Sequence, residues 1–83
     1  MESLKIDVRG LSQAQKNNAA EKLRGLGYVG VPYPSNFFFY CIYASGVPSK
    51  HGYSLAFGNN MKTFSNNNGR EITINELNNM IDS

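Results

Sequence analysis

Six side chains in this 83-residue sequence have the chemistry to hold a small ligand that is anionic or aromatic: Tyr28, Tyr33, Lys50, His51, Tyr53 and Arg70. Three are phenol rings beside turns, the kind of group that stacks on a nucleobase for about 1–3 kcal/mol per base. Lys50 and His51 lie together in a connection that also carries Gly46, Pro48, Ser49 and Gly52. Arg70 stands just before the last helix expected in the chain, where arginine can meet a phosphate and the opening amides of a helix favour an anion. Taken one at a time, the same residues also read as a solvated turn with tyrosines at the edge of a core.

Bond-breaking chemistry has less to work with. His51 is the one side chain that titrates naturally near neutrality, and Cys41 is the one thiol. Cys41 falls among aromatics in a strand, where a thiol stays protonated and inert, so no Cys41–His51 dyad is expected. Glu76 reads as part of a helix cap, Glu71 stands beside Arg70, Glu2 and Asp82 are terminal, and Asp7 points outward from a strand. No DxD, ExxE or HxxE spacing puts two ligands on one metal. No GxGxxG, GxxxxGKS or GxxxxGKT run builds a phosphate loop. One cysteine and one histidine are too few for a zinc site. The expectation is a protein that binds rather than catalyses, with no cofactor and no metal.

The scaffold that must position these residues is small. The length allows a single domain over residues 1–83, with marginal stability and no intrachain disulfide to supplement it. Oligomerisation is the supplement that remains, so a homo-oligomer is expected. The net charge of +2 comes from scattered basic residues rather than a dense basic face, which argues against long nucleic acid as a partner. The longest apolar run, residues 37–44, is far short of the roughly 20 residues of a membrane helix. No signal-peptide core opens the sequence. With a lone thiol, these features lead to the expectation of a cytoplasmic protein without a membrane partner.

Leu4-Lys5-Ile6-Asp7-Val8-Arg9 alternates apolar and charged residues, predicting a strand with one buried face that ends at Gly10. Ser12-Gln13-Ala14-Gln15 is a capping box, and Ala19, Ala20, Leu23 and Leu26 follow at helical spacing, with Lys16, Asn17, Glu21 and Arg24 on the other side. Gly25 and Gly27 close that helix. Tyr28–Asn36 reads as a loop through Gly30, Pro32 and Pro34. Phe37–Tyr43 is a central strand apolar on both faces, with Phe37, Phe39, Cys41 and Tyr43 on one side and Phe38, Tyr40 and Ile42 on the other. Tyr53–Phe57 forms a hairpin with it, and Met61–Ser65 reads as a short edge strand. Thr73-Ile74-Asn75-Glu76 caps a final helix buried through Leu77, Met80 and Ile81, with Ile72 stapling onto Leu77.

The resulting class is α+β, in the order β-α-β-β-(β)-α, with two helices on one face of a three- to four-stranded, mainly antiparallel sheet. Two short helices cover only one face. The second row of aromatics therefore needs another cover: the Tyr28–Asn36 loop, a second subunit or a planar ligand.

The run Lys5-Ile6-Asp7-Val8-Arg9-Gly10-Leu11-Ser12, the later Leu23-Arg24-Gly25-Leu26-Gly27-Tyr28 and the closing Glu71-Ile72-Thr73-Ile74-Asn75-Glu76-Leu77 carry a resemblance. Together they resemble small accessory proteins of tailed phages. That group includes anti-defence sponges of the anti-CBASS and anti-Thoeris type. The resemblance implies sequestration of a cyclic oligonucleotide or a cyclic ADP-ribose-type signal, without turnover, in the cytoplasm of an infected bacterial host. The alternative is a phage inhibitor that docks on a host protein through its aromatic sheet face or a strand edge.

Overall fold

Alternation in the opening residues produces β1 (Leu4–Asp7), a strand inside the sheet of a computed structural model that describes residues 1–30 and 38–82, the side chain of Asp82 excepted. β2 (Cys41–Ala44) pairs antiparallel with β1, and β3 (Leu55–Gly58) pairs antiparallel with β2. β4 (Arg70–Ile72) runs parallel to β1 on its other side, giving the order β3-β2-β1-β4. The fold is α+β with a mixed sheet, antiparallel in two of its three pairings. The sequence alone did not show β4. Arg70-Glu71-Ile72 is too short and too charged to display alternation, and its pairing depends on a neighbour more than 60 residues away in sequence.

Register sorts the sheet into two faces. Ile6, Ile42, Phe57 and Ile72 form one cross-strand row, and Leu4, Ala44 and Leu55 form the next. These rows face α1 (Gln13–Gly25) and α3 (Ile74–Asp82), which pack on each other and bury Ala19, Ala20, Leu23 and Leu77 against the sheet. Both capping boxes form as read. Ser12 Oγ accepts from Gln15 N at 3.2 Å while Gln15 reaches back to Ser12 N at 2.9 Å, and Thr73 and Glu76 repeat the exchange at 3.1 and 3.2 Å. Ser12→Ala is expected to lower stability by about 1 kcal/mol in urea denaturation, with an unchanged m-value. Gly27 takes φ +110° just beyond α1, where its N–H donates to Arg24 O and the Tyr28 N–H to Leu23 O, closing the helix.

Three side chains differ from the sequence expectation here. Lys16 lies on the buried side of α1, 6% exposed, with Nζ donating to Phe39 O at 2.6 Å and lying 4.9 Å from the Phe38 ring centroid. A lysine can occupy a core-facing position because its stem packs while its ammonium finds a carbonyl and ring faces. Ile81, expected in the buried stripe of α3, is 40% exposed, leaving Leu77 as the anchor and Met80 partly buried. Phe39 joins Ile42 in the core rather than the row of Cys41 and Tyr43, because regular pairing begins only at Cys41 and period-two alternation does not extend back to it. Phe37 and residues 31–36 of the expected loop lie outside the described residues.

The second face carries Lys5, Cys41, Tyr43, Ala56 and Gly58, and a third helix packs on it. Met61–Ser65, expected as an edge strand, is part of α2 (Met61–Asn66). Asn60 decides the outcome: its side chain accepts from Lys62 N at 3.0 Å and Thr63 N at 3.2 Å, satisfying the amides that open a helix. Phe64, the buried residue of α2, lies 6.1 Å from the Tyr43 ring and under the Lys5 ammonium at 4.8 Å. Lys5 points away from the main core, yet it is only 7% exposed, because Nζ donates to Phe64 O at 2.7 Å and Asn67 O at 3.0 Å. A cation on the free carbonyls of a partly buried helix end is worth up to about 2 kcal/mol. Part of the cover for the second face, over Lys5 and Tyr43, thus comes from within the chain through α2, while Ala56 on the same face is exposed.

Candidate functional site

β1 and β4 begin, β2 ends and β3 starts at one end of the sheet, where Leu55, Ala44, Leu4 and Arg70 stand side by side. Two hollows open there. One, of about 320 Å³, is lined by Ser3, Tyr43, Ser45 and the α2–β4 connection Asn67-Asn68-Gly69. The other, of about 330 Å³, is lined by Tyr43, Ser45, Val47, Ser49 and Tyr53. Tyr43 and Ser45 belong to both, so the hollows adjoin across the end of β2. Each is within the size range of small-ligand pockets, about 300–1,000 Å³.

The β2–β3 connection over these hollows is tightly bonded. Ser45 Oγ donates to Val47 O at 2.7 Å and accepts from Val47 N, and Gly46 N donates to Ser3 Oγ at 2.8 Å. Ser49 N donates to Tyr53 O at 2.8 Å and Gly52 N to Ser49 O at 2.8 Å, with Gly52 at φ +85°. This turn holds Lys50 and His51 at its exposed tip and sets Tyr53, 44% exposed, at the wall of the second hollow. Of the three turn residues expected to bind, Tyr53 thus lines the second hollow, whereas Lys50 and His51, exposed on the same turn, line neither.

The other expected ligand residues are placed differently. Tyr28 is 4% exposed within the core, and its hydroxyl donates to Glu2 O at 2.5 Å. Burial pushes that hydroxyl above the usual tyrosine range, and the Glu2 carboxylate adds to the shift. Arg70 reaches the same sheet end but faces Glu2, donating from Nε at 2.7 Å and Nη2 at 2.9 Å, with Glu76 3.6 Å away. The hydrogen bond from Arg70 holds the Glu2 carboxyl below its ordinary value, so this guanidinium is matched by carboxylates of its own chain. Tyr33 lies outside the described residues.

Tyr43, Asn67 and Asn68 line the hollows and are not singled out by the sequence, while Ser45, a polar residue of the hairpin connection, lines both. Tyr43 and Ser45 continue the β2 alternation into the turn, which was a readable signal, whereas Asn67 and Asn68 reach the site only because β4 pairs parallel with β1. The Tyr43 hydroxyl is buried and forms no hydrogen bond among the described residues. Burial and the neighbouring Cys41 thiol push it up to about 12. Among the described residues, no three His, Cys, Asp or Glu side chains converge as a metal set would, and no helix is long and apolar enough to cross a membrane. No protein-family model, curated protein or solved structure matches the chain.

Proposed function

We propose that this chain is a non-catalytic binding protein that sequesters a small cyclic-nucleotide signal in the paired hollows at the sheet end, as an anti-defence sponge of phage origin does. The observation that carries the reading is the adjoining pair of hollows at the sheet end, the second walled by Val47, Ser49 and Tyr53 of the turn that bears Lys50 and His51. A base stacks on the exposed face of Tyr53. Ser45, Ser49, Asn67 and Asn68 supply neutral donors and acceptors, and Lys50 and His51 come over the phosphates from the turn. The first hollow mixes hydroxyl and amide groups with apolar surface and the second is mainly apolar, a combination that suits a ligand with both polar edges and a flat ring. The exposed Phe38 and Val47 side chains support the homo-oligomer that a symmetric ligand would use.

Thermal denaturation against a panel of cyclic dinucleotides, cyclic trinucleotides and cyclic ADP-ribose tests this reading. A ligand at 100 times its Kd stabilises the fold by about 2.7 kcal/mol, so one member should raise the midpoint clearly. Tyr53→Ala and Lys50→Ala should then each weaken its binding about tenfold, equal to about 1.4 kcal/mol, in isothermal titration. A panel in which no nucleotide moves the midpoint overturns the reading.

A further inference from the structure

α2 differs from the other helices in how it is held. It has six residues, fewer than an isolated helix needs for stability, and buries the single side chain Phe64. Phe64 lies outside the main core cluster, and α2 takes part in none of the extensive packing between elements, which joins the strands to one another and α1 to α3. Its contact with the sheet depends on two attachments side by side: the Phe64 ring on Tyr43, and the Lys5 ammonium on the α2 carbonyls of Phe64 and, beyond the helix end, Asn67. Asn and Gly residues flank it at Asn59-Asn60 and Asn67-Asn68-Gly69, so the chain on either side is built of turn residues.

We propose that α2 is a strap, latched by Lys5, that lifts from the sheet as a unit while the α1–α3 side of the fold stays intact. Lifting uncovers the face that carries Lys5, Cys41 and Tyr43. It also moves Asn67-Asn68-Gly69, one wall of the first hollow, so the strap regulates how wide that hollow opens. This last consequence rests on the binding reading above; the latch does not.

Cys41 is a natural reporter, as the single thiol of the chain, fully buried and beside the Tyr43 side chain on which Phe64 of α2 rests. Its labelling by a thiol reagent is measured in native buffer over a range of urea concentrations, beside hydrogen exchange of residues 59–69. The expected result is labelling and α2 exchange with a shallow urea dependence, far below that of global unfolding, while β1 and β2 amides stay protected. Lys5→Met keeps an unbranched apolar stem without the ammonium and should speed labelling at least tenfold. If that variant does not fold, Phe64→Leu, which loosens the other attachment, should give the same gain. The proposal is overturned if labelling follows the urea slope of global unfolding, or if neither variant labels faster than the parent. No nucleotide enters the experiment, so the strap can fail while the ligand panel succeeds, and the reverse.

Discussion

Phe39→Ala is expected to lower stability by about 3–5 kcal/mol, whereas Phe38→Ala, one residue earlier, should cost less than about 1 kcal/mol. Phe39 is fully buried, with its ring 5.0 Å from Phe57 and its backbone carbonyl accepting from Lys16. Truncation there removes the transfer energy of a whole ring and leaves a cavity between the sheet and α1 that neighbouring side chains fill only in part. Phe38 is 60% exposed and rests edge-on against Tyr40 at 4.9 Å, so its loss opens no cavity. At about 0.05–0.15 kcal/mol per residue, a chain of this length has about 4–12 kcal/mol in total. The first substitution therefore removes a large share of that stability, and the second leaves the fold nearly untouched. Urea denaturation of the two variants reads the difference directly. Equal losses would mean that Phe39 does not occupy the place in the core described here.

That pair also shows where sequence reading stops. In Phe37-Phe38-Phe39-Tyr40-Cys41-Ile42-Tyr43 every residue is apolar or aromatic, so hydrophobicity carries no information about which side chain faces where. Only the pairing of Ile42 with Ile6, and of Tyr43 with Lys5, fixes the faces. Elements with local signals were legible: the Ser12 and Thr73 capping boxes, the left-handed Gly27 and the β2–β3 hairpin all depend on residues a few positions apart. Elements fixed by distant partners were not. Asn60 capping α2, Lys5 reaching its C-terminal end, and β4 joining β1 in parallel involve choices that appear only once the sheet exists. Lys5 and Lys16 illustrate the same limit, since a charged residue in an alternating or amphipathic pattern reads as solvent-facing. Both are buried, because backbone carbonyls and ring faces wait for them across the fold. Of the candidate site, Tyr53 was legible from its place beside a turn, while Lys50 and His51 share that turn without lining either hollow. The floor contributed by Tyr43 and the wall of Asn67 and Asn68 were not singled out.

Stability should fall as pH rises from about 10 to about 12, by on the order of 2 kcal/mol, and Tyr43→Phe should remove most of that fall. The Tyr43 hydroxyl is buried without a hydrogen bond among the described residues, and its pKa is pushed up to about 12 by burial and by the Cys41 thiol. In the unfolded chain the same phenol ionises near pH 10. Below pH 10 both states hold the proton and the pH has no leverage. Between the two values the unfolded state has lost its proton while the folded state retains it, so each step upward favours unfolding; above about 12 both are ionised and the slope vanishes. Tyr43→Phe also removes an unpaired buried polar atom, a group that costs about 1–3 kcal/mol when left unsatisfied. The variant should therefore be at least as stable as the parent at neutral pH and more so at pH 11. Tyr28, whose hydroxyl also titrates above the usual range, is present in both proteins and cancels in the comparison. Urea denaturation of parent and variant at pH 7, 9, 10, 11 and 12 gives the difference curve. A difference that stays constant across that range would show that the Tyr43 hydroxyl is hydrated in the folded state, and the tight seating of Phe64 over the second face would have to be abandoned with it.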